Sequence, residues 1–162
     1  MGAHILRARQ NLPITLTEAW DFVSNPRNLA DITPPEMGFE VTTPDLADKM
    51  YAGMVITYKV SPLLGIKTTW VTEITQVEEP RYFIDNQRIG PYSIWHHQHF
   101  LEEIEGGVQM DDLINYVVPG GPLGDIINEL AVQNKLRHIF EFRRKALEQK
   151  FGIMPGGFLD IS

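Results

Sequence analysis

Residues 93–124, SIWHHQHFLEEIEGGVQMDDLINYVVPGGPLG, decide the fold. Two extended runs flank Gly106-Gly107, and Pro119-Gly120-Gly121-Pro122 ends the second run and opens a helical pattern. A strand alternates its side chains, so Trp95, His97, His99 and Leu101 share one face while Ile94, His96, Gln98 and Phe100 share the other. If Gly106-Gly107 is a two-residue hairpin turn, Leu101 faces Asp112, His99 faces Ile114 and His97 faces Tyr116, with Asp112 diagonal to His99. Met110, Ile114, Tyr116 and Val118 then align with Trp95 and Leu101, which turns the His97/His99 face inward and His96 outward.

Upstream, the same period of two marks more strands. Phe39 and Val41 begin one; Met54, Ile56, Tyr58 and Val60 share a face of another; Thr68, Trp70, Thr72 and Ile74 share a face of a third; Tyr82–Arg88 is a fourth. Gly65 and Gly90-Pro91 supply short turns, so antiparallel pairing is expected. The chain opens on a strand ended by Pro13. Thr15-Leu16-Thr17-Glu18 then has capping-box spacing, and Asn25-Pro26 starts a second short helix that Thr33-Pro34-Pro35 ends. Downstream, residues 122–150 read as one long helix whose apolar stripe changes sides: Leu123, Ile126, Ile127 and Leu130 lie opposite Leu136, Ile139, Phe140 and Leu147. A bend or a change of packing partner is expected near Gln133 and Asn134. Residues 1–151 read as a single domain, and the glycine- and proline-rich segment 152–162 as a loose tail.

Composition excludes several functions. With 162 residues, 43% hydrophobic and 22% charged, the chain can bury one sizeable core. A net charge of −7 opposes broad attraction to nucleic acid or anionic membrane, and Arg143-Arg144-Lys145 reads as a solvated helix face. Without cysteine there is no disulfide, thiolate nucleophile or zinc–thiolate site. No apolar run is long enough to span a membrane, and the first residues lack a signal-peptide core, so a soluble, cytoplasmic protein is expected. Gly120–Gly124 lacks the lysine and spacing of a phosphate loop, and no serine sits in a G-x-S-x-G elbow.

The segments SNPRNLADITPP, TWVTEI, FIDNQRIGPYSIWHHQH, DLINYVVPGGPLG and IFEFR resemble the polyketide cyclase/dehydrase-like group of the START-like (SRPBCC) superfamily, over about Leu6 to Leu147. The resemblance implies an α+β helix-grip fold: a curved antiparallel sheet wrapped around a long C-terminal helix, with two short helices after the first strand and a cavity between sheet and helix. It also matches the H-x-H and D-x-I-x-Y positions to His97, His99, Asp112, Ile114 and Tyr116. That superfamily contains carriers, cyclases and accessory proteins, so the shared fold alone transfers no reaction.

Extending the inward face to the neighbouring strand adds Phe83, Asp85 and Gln87. Three readings compete for this polar stripe in an apolar cup. In one, His97 and His99 are buried and hydrogen-bonded to Asp85, Asp112 or Tyr116 for structural reasons. In the second, these groups select the polar end of a hydrophobic or amphipathic ligand, lipid-like or polyketide-like, against walls that include Met54, Tyr58, Trp70, Thr72 and Trp95. In the third, His97, His99 and Asp112 perform acid–base chemistry of the aromatase/cyclase or dehydratase kind. A filled interior would instead mark an accessory domain for a protein partner. His97, His99 and Asp112 could form a facial metal triad. One H-x-H pair without a second ligand set leaves the expectation at no resident metal and no cofactor. Binding of a small molecule without catalysis leads among these readings.

Overall fold

In a computed structural model, which describes residues 2–61 and 65–162, eight strands form one antiparallel sheet. They are β1 (His4–Leu12), β2 (Glu40–Val41), β3 (Val55–Val60), β4 (Thr68–Glu78), β5 (Tyr82–Ile89), β6 (Ile94–Ile104), β7 (Gly107–Val117) and β8 (Gly157–Ile161). Their spatial order is β2-β3-β4-β5-β6-β7-β1-β8. The sheet wraps a long C-terminal helix, the helix-grip arrangement. Register slips between Val71 and Thr72, and again between Ile74 and Gln76, mark bulges in the β4–β5 pairing, devices that bend and twist a sheet.

Between β1 and β2 lie α1 (Leu16–Val23) and a 3-10 helix, Pro26–Ile32. The capping box forms as expected: Thr15 Oγ1 accepts from the Glu18 amide at 3.2 Å, while the Glu18 carboxylate accepts from the Thr15 amide at 2.9 Å. Asn25 Oδ1 caps the second helix through the Arg27 amide. That helix is the tighter 3-10 form, with Pro26 at its start and the Pro34-Pro35 break just beyond its end.

The terminal helix runs as α2 (Pro122–Ile127), a π-helical turn (Asn128–Val132) and α3 (Gln133–Phe151). The π turn carries an extra residue per turn, and it is the physical form of the expected break, placed a few residues earlier than Gln133. Before and within it the apolar stripe faces outward, with Leu123 63% and Leu130 73% exposed; after it Leu136, Phe140 and Leu147 are buried against the sheet. They join two packed clusters. One is built on Leu12, Trp20, Phe83, Val108 and Leu147, the other on Leu6, Trp70, Ile114, Tyr116 and Phe140.

Two expectations are corrected. The β6–β7 turn is Glu105-Gly106 rather than Gly106-Gly107: Ile104 pairs with Gly107, so His99 faces Asp112, His97 faces Ile114 and Trp95 faces Tyr116. Gly106 takes a φ of 79°, the left-handed conformation that glycine adopts without penalty. The two-residue slip preserves which side chains point inward but changes their partners. The tail is also not loose. Its segment Gly157–Ile161 pairs with Leu6–Gln10, and Leu159 and Ile161 pack against the second cluster. Gly156 and Gly157 take φ of 101° and 123° at the entry, conformations open to glycine, and the alternation FLDI continues as a strand.

Candidate functional site: a histidine–aspartate square beneath an apolar cavity

Three adjacent strands place four polar side chains at the corners of a square. Asp85 on β5 faces His97 on β6, and His99 on β6 faces Asp112 on β7. The short hydrogen bonds join residues two places out of register on neighbouring strands: His97 Nε2–H donates to Asp112 Oδ1 at 2.7 Å, and His99 Nε2–H donates to Asp85 Oδ2 at 2.7 Å. The remaining approaches are longer, His99 Nδ1 to Asp112 Oδ1 at 3.2 Å and His97 Nδ1 to Asp85 Oδ2 at 3.6 Å. The imidazole rings stack at 3.6 Å between centroids, and Phe83 stacks on the other side of His99 at 4.0 Å.

A fifth group completes the cluster from α3. Arg143 Nη1 lies 3.5 Å from Asp112 Oδ1, with its side chain only 14% exposed and its guanidinium over the Phe140 ring. The sequence reading of Arg143 as part of a solvated face is therefore corrected; Arg144, 59% exposed, does fit it. Leu136, Phe140, Arg143 and Leu147 recur every three or four residues, one stripe of a helix, and this spacing is the signal that assigns Arg143 to the inner face.

Burial and mutual charge set the protonation pattern. Burial raises the Asp112 carboxyl, but hydrogen bonds from His97 and His99 and the charge of Arg143 outweigh it and hold the group well below the usual carboxylate range. Asp85 is likewise lowered, with the histidine pair and Arg143 overcoming its burial. Burial lowers both histidines. For His97 it prevails, aided by the adjacent His99; for His99 the bonds to Asp112 and Asp85 prevail and raise it. His99 thus holds its proton more tightly than an ordinary histidine, and His97 more loosely.

Above the square lies a cavity of about 180 Å³ between the sheet, α3 and the segment after α1. Among its walls are Tyr58, Trp70, Thr72, Phe83 and Trp95, with Asp85, His97, His99, Asp112 and Arg143 as its polar side. The Thr72 hydroxyl satisfies the Trp70 indole N–H and meets the Tyr58 hydroxyl, each at 3.1 Å, so that wall presents little unmet polarity. Four expected lining residues lie elsewhere. Met54, Ile114 and Tyr116 are packed into the core, and Gln87 donates to the Tyr92 carbonyl at 2.6 Å instead. Burial pushes the Tyr116 hydroxyl up to about 12. His96 lies on the outer face beside Asn86 Oδ1, as expected, and His138 bonds Glu36 at the surface. His4 packs against the Tyr116 ring.

The spacing that suits a metal belongs to Asp85, His97 and His99, whose ligand atoms lie within 4.8 Å of one another, rather than to the triad with Asp112. Asp112 would then be an outer carboxylate orienting both imidazoles. The two rings lie 3.6 Å apart between centroids, and one nitrogen of each approaches Asp112 Oδ1 while the other approaches Asp85 Oδ2. These nitrogens also have carboxylate partners already, so the arrangement favours proton-mediated bonding over metal ligation.

No family model and no curated protein sequence matches the chain. Solved structures do. Protein CV1439 from Chromobacterium violaceum superposes with a TM-score of 0.69 at 14% identity over 93% of this chain and 99% of that one. Ara h 8.0201 gives 0.60 at 16% identity, covering 91% and 99%. A nucleoside-diphosphate sugar epimerase from Corynebacterium glutamicum gives 0.61 at 18% identity, with 88% of this chain matching 28% of the longer protein. These likenesses establish the fold. Among the described residues no helix is long and apolar enough to cross a membrane.

Proposed function

We propose that the protein binds a hydrophobic or amphipathic small molecule between the sheet and α3. The observation that carries this reading is the cavity itself: aromatic walls, in which the polar atoms of Tyr58 and Trp70 are satisfied through Thr72, over one side bearing a concentrated set of charged groups. That combination is the usual make-up of small-molecule sites, in which apolar area supplies affinity and a few placed polar groups supply orientation. The volume, about 180 Å³, lies below the ~300 Å³ where ordinary drug-sized pockets begin, so the reading is of a compact ligand of one or two rings. The accessory-domain alternative predicts a filled interior, which an open cavity does not favour.

A second reading is supported by the His97–Asp112 pair. A neutral imidazole held by a carboxylate at 2.7 Å beside a cavity is the arrangement of a general base, and the resemblance to cyclase/dehydrase-like proteins points to a carbonyl substrate. Binding leads because both carboxylates and Arg143 are also engaged in holding the buried square together.

Titration with the neutral ketone 2-acetonaphthone, followed by 15N-edited NMR, tests the binding reading. The chain has three tryptophans, of which Trp70 and Trp95 line the cavity while Trp20 lies in the core. Saturable shifts of the Trp70 and Trp95 indole N–H signals, with Trp20 little changed, are expected. Absence of saturable shifts would count against a cavity-bound ligand of this class.

A further inference from the structure

A second cavity, of about 270 Å³, opens between α3, β1, β7 and β8. Met110, Asp112, Phe140, Arg143 and Leu147 line both cavities, so the Arg143–Asp112 pair stands in their common wall. The two cavities differ in character. The first is aromatic, whereas the second is lined by Arg9, Arg137, Arg143 and Arg144 and the acids Asp112 and Glu141, with Arg9 paired to Asp111 and Arg144 facing Glu148. Strand β8, through Phe158 and Leu159, supplies one of its walls.

The hydrogen bonds of the wall show what chemistry is unmet there. Asp85 and Asp112 each accept a histidine N–H at 2.7 Å, and Asp112 also faces Arg143. Arg143 Nε, by contrast, is a buried donor with no hydrogen-bond partner. A buried donor left unpaired costs about 1–3 kcal/mol, more when charged, so the site demands an acceptor rather than another donor. A cationic ligand would compete for carboxylates already engaged. An anionic oxygen brought to Arg143 would satisfy the unpaired Nε–H and add to the guanidinium's pairing with Asp112.

We propose that the ligand is an amphipathic organic acid, its apolar body in the first cavity and its carboxylate on Arg143, the residue dividing that cavity from the basic one. This rests on the binding function proposed above and specifies its ligand class. Arg143 is then the selectivity residue. Its planar fork matches a carboxylate, and a charge-assisted hydrogen bond in a water-poor setting is stronger than a neutral one.

Calorimetric titration at pH 7 with two probes of one shape, 2-naphthoate and 2-acetonaphthone, tests the proposal. The acid is expected to bind the wild-type protein at least about tenfold more tightly than the ketone, the scale of a hydrogen bond to a charged group. In Arg143→Gln this preference should fall to within about threefold. Should that variant fail to fold, Arg143→Lys keeps the charge without the fork and should show a clearly smaller preference than wild type. Ketone binding as tight as acid binding in the wild-type protein overturns the acid proposal while leaving the binding function standing. An undiminished preference in a folded Arg143 variant also overturns it. Failure of both probes to bind removes the binding reading, and this inference with it.

Discussion

Asp112 is the residue on which the structural and catalytic accounts differ most. It accepts from His97, approaches His99 and faces Arg143, and its side chain is only 15% exposed. Asp112→Asn keeps the shape but removes the charge, and breaking a buried charged pair costs about 3–5 kcal/mol. The expected outcome is a markedly lower denaturant midpoint, with ligand binding weakened only through that loss. An unchanged midpoint with intact binding, and turnover of an identified substrate reduced ~100-fold, would favour the catalytic role instead. The histidines give a second expectation. NMR titration of the imidazole signals should find His99 titrating above the ordinary 6.5 and His97 below it, with the His99 midpoint falling in Asp112→Asn. The sign of the linkage follows. His99 contributes stability in full below 6.5 and loses it as pH rises through its raised value. His97, Asp85 and Asp112 contribute above their ordinary values of 6.5 and 3.8, and lose it as pH falls through their lowered ones. Identical midpoints for the two histidines would contradict the asymmetric square.

Among elements, the hairpin of β6 and β7 was the most legible, because alternation alone fixes which residues face inward. Its partners were not. Choosing Glu105-Gly106 over Gly106-Gly107 as the turn moves every pair by two places, and only the conformation at Gly106 distinguishes them. This is why Asp112 proves to be the direct neighbour of His99 and yet the hydrogen-bond partner of His97. The terminal strand was missed for a different reason: the glycines and proline of GIMPGG suggest disorder, whereas the alternation that follows them is what pairs with β1. Removing residues 156–162 bares the β1 edge and takes away the packing of Leu159 and Ile161 against the second cluster. Full burial of such side chains is worth about 1.5–3 kcal/mol each, and both are only partly buried, so a total of about 2–4 kcal/mol is expected. In a chain of this size that corresponds to a Tm lower by roughly 5–15 °C, measurable by circular dichroism. A truncated protein melting with the full chain would show that β8 contributes nothing to the sheet.

At the scale of the molecule, the period of the apolar residues specified antiparallel strands followed by a long terminal helix. That the sheet wraps this helix and leaves a cavity was what the resemblance to the START-like group implied. The cavity's contents were less legible, since volume depends on how side chains from distant elements meet. Met54, Ile114 and Tyr116 lie on suitable strand faces but fill the core, while Arg143 comes from a helix five elements after β5, the strand of Asp85, along the chain. The helical stripe Leu136, Phe140, Arg143 and Leu147 was present in the sequence, masked by two further basic residues after Arg143. The central claim is that this interior holds one small organic molecule. Native mass spectrometry of the protein, freshly purified and again after incubation with 2-naphthoate, tests it most directly. The account predicts a single non-covalent organic adduct per chain, absent under denaturing conditions. The bare chain mass in both samples, or an added mass equal to one metal ion held by Asp85, His97 and His99, would contradict it.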